Sequence, residues 1–219
     1  MNKKLKSSVL NSNVYRIDPE DPDLSLICKA ADRIKKGGII VFPTRTLYGI
    51  GVDAFNDSAV NRVFKVKQRA VHNPLSVLVK SINDVFSLVA EIPSAAGKFM
   101  KIFWPGSLTI VFKARADVPS CLTAKTGKIG IRIPEHPVTV KLVAALDRPL
   151  TGTSANLSGE PGVDCIADLP SEIITSVDMV VDSGKLKGGI GSTVVDVTTS
   201  PPTVIREGEV LKEELFRII

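Results

Sequence analysis

The sequence predicts a single α/β domain built on a twisted, mixed β-sheet. Three observations predict it. Apolar segments with helical spacing alternate irregularly with short β-branched runs, the pattern of helices packed against a sheet. Only 5% of the 219 residues are aromatic while 44% are hydrophobic, so Val, Ile and Leu must build the core, as buried strands do. The length admits one sizeable domain or two small ones, and no low-complexity linker or internal repeat divides the chain.

Taken in order, residues 1–13 read as a flexible tail. Val14 to Ile17 is a short edge strand, followed by the turn-rich DPEDPD. Leu24, Ile27, Ala30, Ala31 and Ile34 recur at helical spacing from Leu24 to Lys36, and Gly37-Gly38 ends that helix. GGIIVFP is a buried strand stopped by Pro43. PTRTLYGIG reads as a turn, after which Asp57 or Ser58 caps a helix running to about Gln68. LSVLVK is a strand, Ser81 opens a helix, and another helix runs from Ser94 to Phe103 before Trp104-Pro105-Gly106. Strands follow at SLTIVFK and KIGIRIP, a helix at HPVTVKLVAAL and a strand at PLTGTS. MVVD, STVVDV and TVIRE complete the sheet.

Composition narrows the chemistry. A net charge of +5 suits anionic partners, nucleotide or RNA, but is too modest to choose between them. Cys28, Cys121 and Cys165 are far apart with no CxxC pair, against a disulfide framework or a zinc site and in favour of reduced thiols in a cytosol. His72 and His136 are the only histidines, against a His-rich metal site or a serine triad. No run of about 18 apolar residues exists to span a membrane. The opening MNKKLKSSVLNSNVYRI lacks a signal-peptide apolar core. The expected location is cytoplasmic.

Basic residues and small hydroxyls fall where apolar runs end, places from which side chains can converge on a ligand rather than fill a core. Neither a Walker loop nor GxGxxG is present, so a bound nucleotide would need side chains to neutralise it. Lys67 and Arg69 close a helix, a position that also suits the helix dipole. Asn73 is held extended by Pro74, and offers an amide to a ligand or simply marks a turn. By strand alternation, Arg132 faces opposite to Ile131 and Ile133, and Arg206 holds a similar place in TVIREG. TSANLSG lets backbone N–H groups and the Ser154 hydroxyl approach an oxyanion, or forms a Ser-rich surface turn. Thr44, Thr46, Tyr48 and Ser192 offer hydroxyls to a small polar substrate or to neighbouring backbone. No GxSxG elbow accompanies them, which disfavours a nucleophilic serine.

FPTRTLYGIG, FKVKQRAVHNPLSVLV, FWPGSLTIV, IGIRIPEHP, TSANLSG, GSTVVD and VIREG, in this order, resemble the YrdC-like family of threonylcarbamoyl-adenylate synthases. The match runs from roughly Val14 to Gly208, making 14–208 the catalytic domain and 209–219 a short C-terminal extension, the short single-domain form. The resemblance implies an α/β fold with a positively charged concave groove. It implies a nucleotidyltransferase that joins L-threonine, bicarbonate or CO2 and ATP into threonylcarbamoyl-AMP, releasing pyrophosphate. The resemblance further implies that downstream threonylcarbamoyl-transferase machinery modifies adenosine 37 of tRNAs reading ANN codons.

By that likeness Thr46, Arg132, Ser154 and Ser192 hold threonine. Lys67, Arg69, Asn73, Asn156 and Arg206 hold ATP, with Lys67 and Arg69 as the catalytic pair. Mg2+ is carried with ATP, with no dedicated protein metal ligands. Direct contact with tRNA or double-stranded RNA is a further implied partner. Four positions depart from the family pattern: Arg45 replaces the acid of PTET, Lys128 replaces a Thr, Asp164 stands where a nucleotide-contacting Thr often sits, and Leu78 replaces the His of many long forms. The SAN signature favours the synthase over a sister branch that lacks it. The competing reading is an RNA-binding module with a basic groove and no reaction of its own. A carbamoyl-transfer domain of the hydrogenase-maturation type is the other rival, for which the chain lacks zinc-finger cysteine spacing.

Overall fold

The computed structural model describes residues 13–219, so most of the predicted tail at residues 1–13 lies outside the described residues. The first half comprises β1 (Val14–Arg16), α1 (Leu24–Lys35), β2 (Ile40–Pro43), β3 (Tyr48–Gly51), α2 (Asp57–Val66), β4 (Ser76–Leu78), α3 (Ile82–Val85), α4 (Ser94–Phe103) and β5 (Leu108–Lys113). The second comprises α5 (Ser120–Thr123), β6 (Lys128–Arg132), α6 (Pro137–Leu146), β7 (Leu150–Ser154), α7 (Ser171–Ser176), β8 (Met179–Asp182), β9 (Thr193–Asp196), β10 (Thr203–Arg206) and α8 (Lys212–Phe216). The strands form one sheet in the order β1-β8-β2-β3-β7-β4-β6-β5-β9-β10. Parallel pairs (β1 with β8, β4 with β6, β5 with β9) mix with antiparallel ones (β2 with β3, β5 with β6), as predicted.

The predicted turn at PTRTLYGIG is instead a hairpin, with β2 and β3 paired from Ile40↔Gly51 to Pro43↔Tyr48. Its glycines suggest a turn but answer to strand packing. A Cβ on Gly51 would lie 2.1 Å from the Thr151 carbonyl oxygen of the neighbouring chain segment. The cap of α2 is Asn56, whose side chain accepts from the Ala59 amide at 3.0 Å, one residue before the predicted Asp57 or Ser58. The short helices α5, α7 and α8 have too few turns to show a period, and sequence reading passed over them.

Strand alternation divides the core in two. On one face Ile39, Val41, Val77, Ile110, Ile129 and Ile131 join residues of α2, α4 and α7 in the larger core. On the other, Ile40, Phe42, Leu78, Leu150 and Met179 pack under α1 and α6. This helix pair covers only part of its face: Ser76, Thr109, Lys128, Gly130, Arg132 and Val194 carry no helix and floor a cavity instead. The last segment docks on the larger core through Val210 and Leu215. Among the described residues no helix is long and apolar enough to cross a membrane.

Candidate functional site

The uncovered part of the sheet forms a cavity of about 620 Å³, within the usual range for small-molecule sites. Strand alternation explains its chemistry. Ile129 and Ile131 of β6 are buried in the core, so Lys128, Gly130 and Arg132 point the other way, into the cavity. On β5 the same rule places Thr109 and Val111 beside them. Arg69, Arg206, Thr46, Ser154, Ser192 and Asn73 complete the set of predicted site residues that line it.

Of the cations lining the cavity, Arg132 is the uncommitted one among the described residues. Among the described residues its guanidinium has no hydrogen-bond partner. Burial pushes it down to about 10, opposed by the charge of Glu135, reinforced by Arg206 and opposed again by Glu209. The group stays charged at neutral pH and is ready for an anion. Arg206 reaches the cavity from β10, where its Nε and Nη2 donate to the Ser192 carbonyl oxygen at 3.2 and 2.7 Å. Gly208 makes that approach possible, since a Cβ there would lie 2.4 Å from the Ser192 carbonyl carbon. The Ser192 hydroxyl sits 3.0 Å from Thr109 Oγ1.

Helix α2 ends in a Schellman motif: the Arg69 amide donates to Phe64 O at 2.8 Å and the Gln68 amide to Lys65 O at 3.1 Å, with Gln68 left-handed at φ 50°. This reversal sends the neighbouring basic side chains to different places. Arg69 lines the cavity, held by bonds from its Nε to Asn73 O (3.2 Å) and from its Nη2 to Pro74 O (3.1 Å). Burial, then the charge of Arg206, lowers the Arg69 pKa, so both guanidiniums act on the same space.

Lys67 does not line the cavity. It is 1% exposed and lies behind the loop that follows β7. Its Nζ donates to the Ser154 carbonyl, to Asn156 O at 2.7 Å and to Asn156 Oδ1 at 3.2 Å. Asn156 is buried as well and its amide is fully used: Nδ2 donates to Leu157 O and Glu160 O at 2.8 and 2.5 Å, and Oδ1 also accepts from the Ser154 hydroxyl. Two residues expected to hold ATP therefore stand one layer behind the cavity, shaping the loop that presents Ser154. Burial, then repulsion from Arg69, pushes the Lys67 ammonium down to about 7. The three oxygens around it work in the opposite direction, since each accepts one ammonium proton.

The departures from the family pattern find partners or packing. Arg45 turns away from the cavity, between Thr44 and Thr46 which face it, and pairs with Glu135 at 2.7 Å and Glu209 at 3.3 Å. Lys128 pairs with Asp196 at 2.8 Å on the cavity floor. Leu78 is buried under α1 and α6. Asp164 packs against Gly188, whose added Cβ would meet its Oδ2 at 2.9 Å. Thr109 and Asp196 went unnoticed in sequence, although alternation along SLTIVFK and STVVD was a usable signal. Glu135 and Glu209 gave no such signal, because only the fold brings them to Arg45. Asp196 is the one carboxylate on the cavity wall, and among the described residues no three His, Cys, Asp or Glu side chains gather around a metal position. The lining donors fit phosphate and carboxylate oxygens, and a divalent ion here would draw its ligands from a bound polyphosphate.

A family model named Sua5_yciO_yrdC, described as "Telomere recombination", matches residues 32–208. The protein named threonylcarbamoyl-AMP synthase from Pyrococcus abyssi is 35% identical over 190 residues, which is 87% of this chain and 56% of that one. The chain thus spans little more than half the length of that relative. A putative threonylcarbamoyl-AMP synthase from Methanocaldococcus jannaschii is 34% identical over 217 residues, covering 97% of this chain and 99% of its own. The crystal structure of P. abyssi Sua5 complexed with L-threonine superposes with a TM-score of 0.90, at 33% identity over 94% of this chain and 60% of that one. The Escherichia coli YciO structure gives 0.83 at 28% identity, over 93% of this chain and 99% of that one.

Proposed function

This chain belongs to the Sua5/YciO/YrdC family, and from that membership we propose that it is a threonylcarbamoyl-AMP synthase acting in N6-threonylcarbamoyladenosine formation on tRNA. The observation that carries the reading is Arg132: a half-buried guanidinium, without a hydrogen-bond partner among the described residues, in a cavity that also holds Arg69, Arg206 and the hydroxyls of Thr46, Ser154 and Ser192. That set suits a small hydroxylated carboxylate beside a polyphosphate. The solved relative bound to L-threonine supports threonine as the carboxylate. A groove that docked RNA alone would not need an unpaired guanidinium set among small hydroxyls in a cavity.

In this reading Arg132 pairs with the threonine carboxylate while Thr46, Ser154 and Ser192 bond its remaining polar groups. The threonine amine adds to CO2, losing a proton and forming a carbamate. A carbamate oxygen then bonds the α-phosphorus of ATP as the bond to pyrophosphate breaks. Arg69 and Arg206 lie where they neutralise the charge that moves onto the leaving pyrophosphate. Magnesium enters on the triphosphate as part of the substrate. Lys67 and Asn156 serve by fixing the loop that carries Ser154, so the reaction depends on positioning and charge rather than on a protein nucleophile.

The test is incubation with ATP, labelled bicarbonate and each amino acid in turn. Labelled adenylate and pyrophosphate are expected with threonine alone. Nucleotide turnover that ignores threonine would overturn the reading.

A further inference from the structure

Two carboxylates, Glu135 and Glu209, act on the charge of Arg132, and neither forms an ion pair with it among the described residues. Glu135 follows it by three residues on the connection into α6, and Glu209 arrives from the segment after β10. Both charges favour the charged guanidinium, Glu135 more than Glu209, against the larger effect of desolvation. A partly desolvated guanidinium within reach of a carboxylate gains from pairing with it. Something therefore keeps the acids occupied.

The occupying groups are in the structure. Arg45 Nη1 bonds Glu135 Oε2 at 2.7 Å, and Arg45 Nε lies 3.3 Å from Glu209 Oε2. Lys187 Nζ takes the other Glu209 oxygen at 2.5 Å, and the Ser107 hydroxyl donates to Glu209 Oε2 at 2.6 Å. Arg45 stands in the turn between two cavity-facing threonines, with its own side chain on the far side. It meets the two acids from behind, with Nη1 bonded to one and Nε facing the other, a spread that suits the guanidinium fork.

We propose that Arg45, assisted by Lys187, is a positioning residue that holds Glu135 and Glu209 away from Arg132, leaving Arg132 free to take the substrate carboxylate. Without Arg45 an internal carboxylate competes with the ligand. The apparent affinity for the substrate then falls by the fraction of molecules whose Arg132 is already paired. The identity of the substrate rests on the threonine reading above; the clamp itself does not.

Two measurements separate these. L-threonine affinity is measured for the wild type, Arg45→Gln, Arg45→Lys and the triple variant Arg45→Gln, Glu135→Gln, Glu209→Gln. Arg45→Gln is expected to raise the threonine dissociation constant and KM about tenfold with kcat little changed. Arg45→Lys should restore part of the loss, and the triple variant most of it, which a merely structural arginine would not allow. An unchanged affinity in Arg45→Gln, or a triple variant as weak as the single one, overturns the proposal. The second measurement needs no substrate: the effects of Arg132→Gln and Glu135→Gln on the urea midpoint should be additive with Arg45 present and coupled in the Arg45→Gln background. Additivity in both backgrounds also overturns the proposal. A wild type that binds no threonine, combined with the expected coupling, overturns the function reading and leaves the clamp standing.

Discussion

The Lys67 ammonium lies 2.7 Å from the Asn156 main-chain oxygen and 3.2 Å from its side-chain Oδ1, tying the end of helix α2 to the loop that presents Ser154. Neither side chain lines the cavity, yet together they set the position of one that does.

Lys67→Met keeps much of the side-chain volume but strands three buried oxygen acceptors. Charged hydrogen bonds of this kind contribute about 1.5–3 kcal/mol each when intact, and the losses overlap. A drop of roughly 2–4 kcal/mol in unfolding free energy is expected, read by urea denaturation, with adenylate formation lost in parallel. The pH dependence has a definite sign. The folded pKa is near 7 and the reference value is 10.5, so between them the unfolded chain holds more protons and stability rises with pH. The stability of the wild type relative to Lys67→Met should therefore grow as pH climbs from 7 towards 10.5. A difference that shrank over that range would contradict the assignment.

Arg132→Met should separate function from stability. It removes a half-buried cation that has no hydrogen-bond partner among the described residues, so unfolding free energy should hold or rise. Threonine affinity should fall about tenfold to a hundredfold, the weight of a lost charge-assisted pair. Calorimetric titration and urea denaturation on the same variant check both halves. A large loss of stability with intact binding would show that Arg132 serves the fold instead.

His136 precedes α6 with its Nδ1 buried and unpartnered among the described residues. Burial pushes its pKa down to about 4 from 6.5, so the unfolded chain takes up a proton first as the medium is acidified. Stability should fall as pH drops from 6.5 to 4, and His136→Gln should flatten that part of the profile. Melting temperatures of the two proteins across this range give the measurement. Parallel profiles would exclude His136 as the source.

The site was legible wherever a strand rule sufficed. Arg132 faces the cavity because Ile129 and Ile131 face the core, and that follows from alternation in KIGIRIP alone. PTRTLYGIG was misread because glycine reports both turns and close strand packing, and only the partner at Thr151 tells which applies. Lys67 and Arg69 look equivalent in the sequence. The left-handed Gln68 between them belongs to a helix terminus whose conformation two basic letters do not specify.

What the sequence determined by itself is the kind of fold and the chemical character of the cavity: β-branched runs, helical stripes and strand-borne arginines are local patterns, and each carries its own geometry. What only the tertiary structure decided is which polar groups remain free. Lys67 and Asn156 spend their bonds on each other, on backbone and on the Ser154 hydroxyl, and Arg45 spends its charge on Glu135 and Glu209, while Arg132 finds no partner among the described residues. Their partners lie far away along the chain, and availability for a ligand depends on every neighbour that could have claimed the same proton or charge.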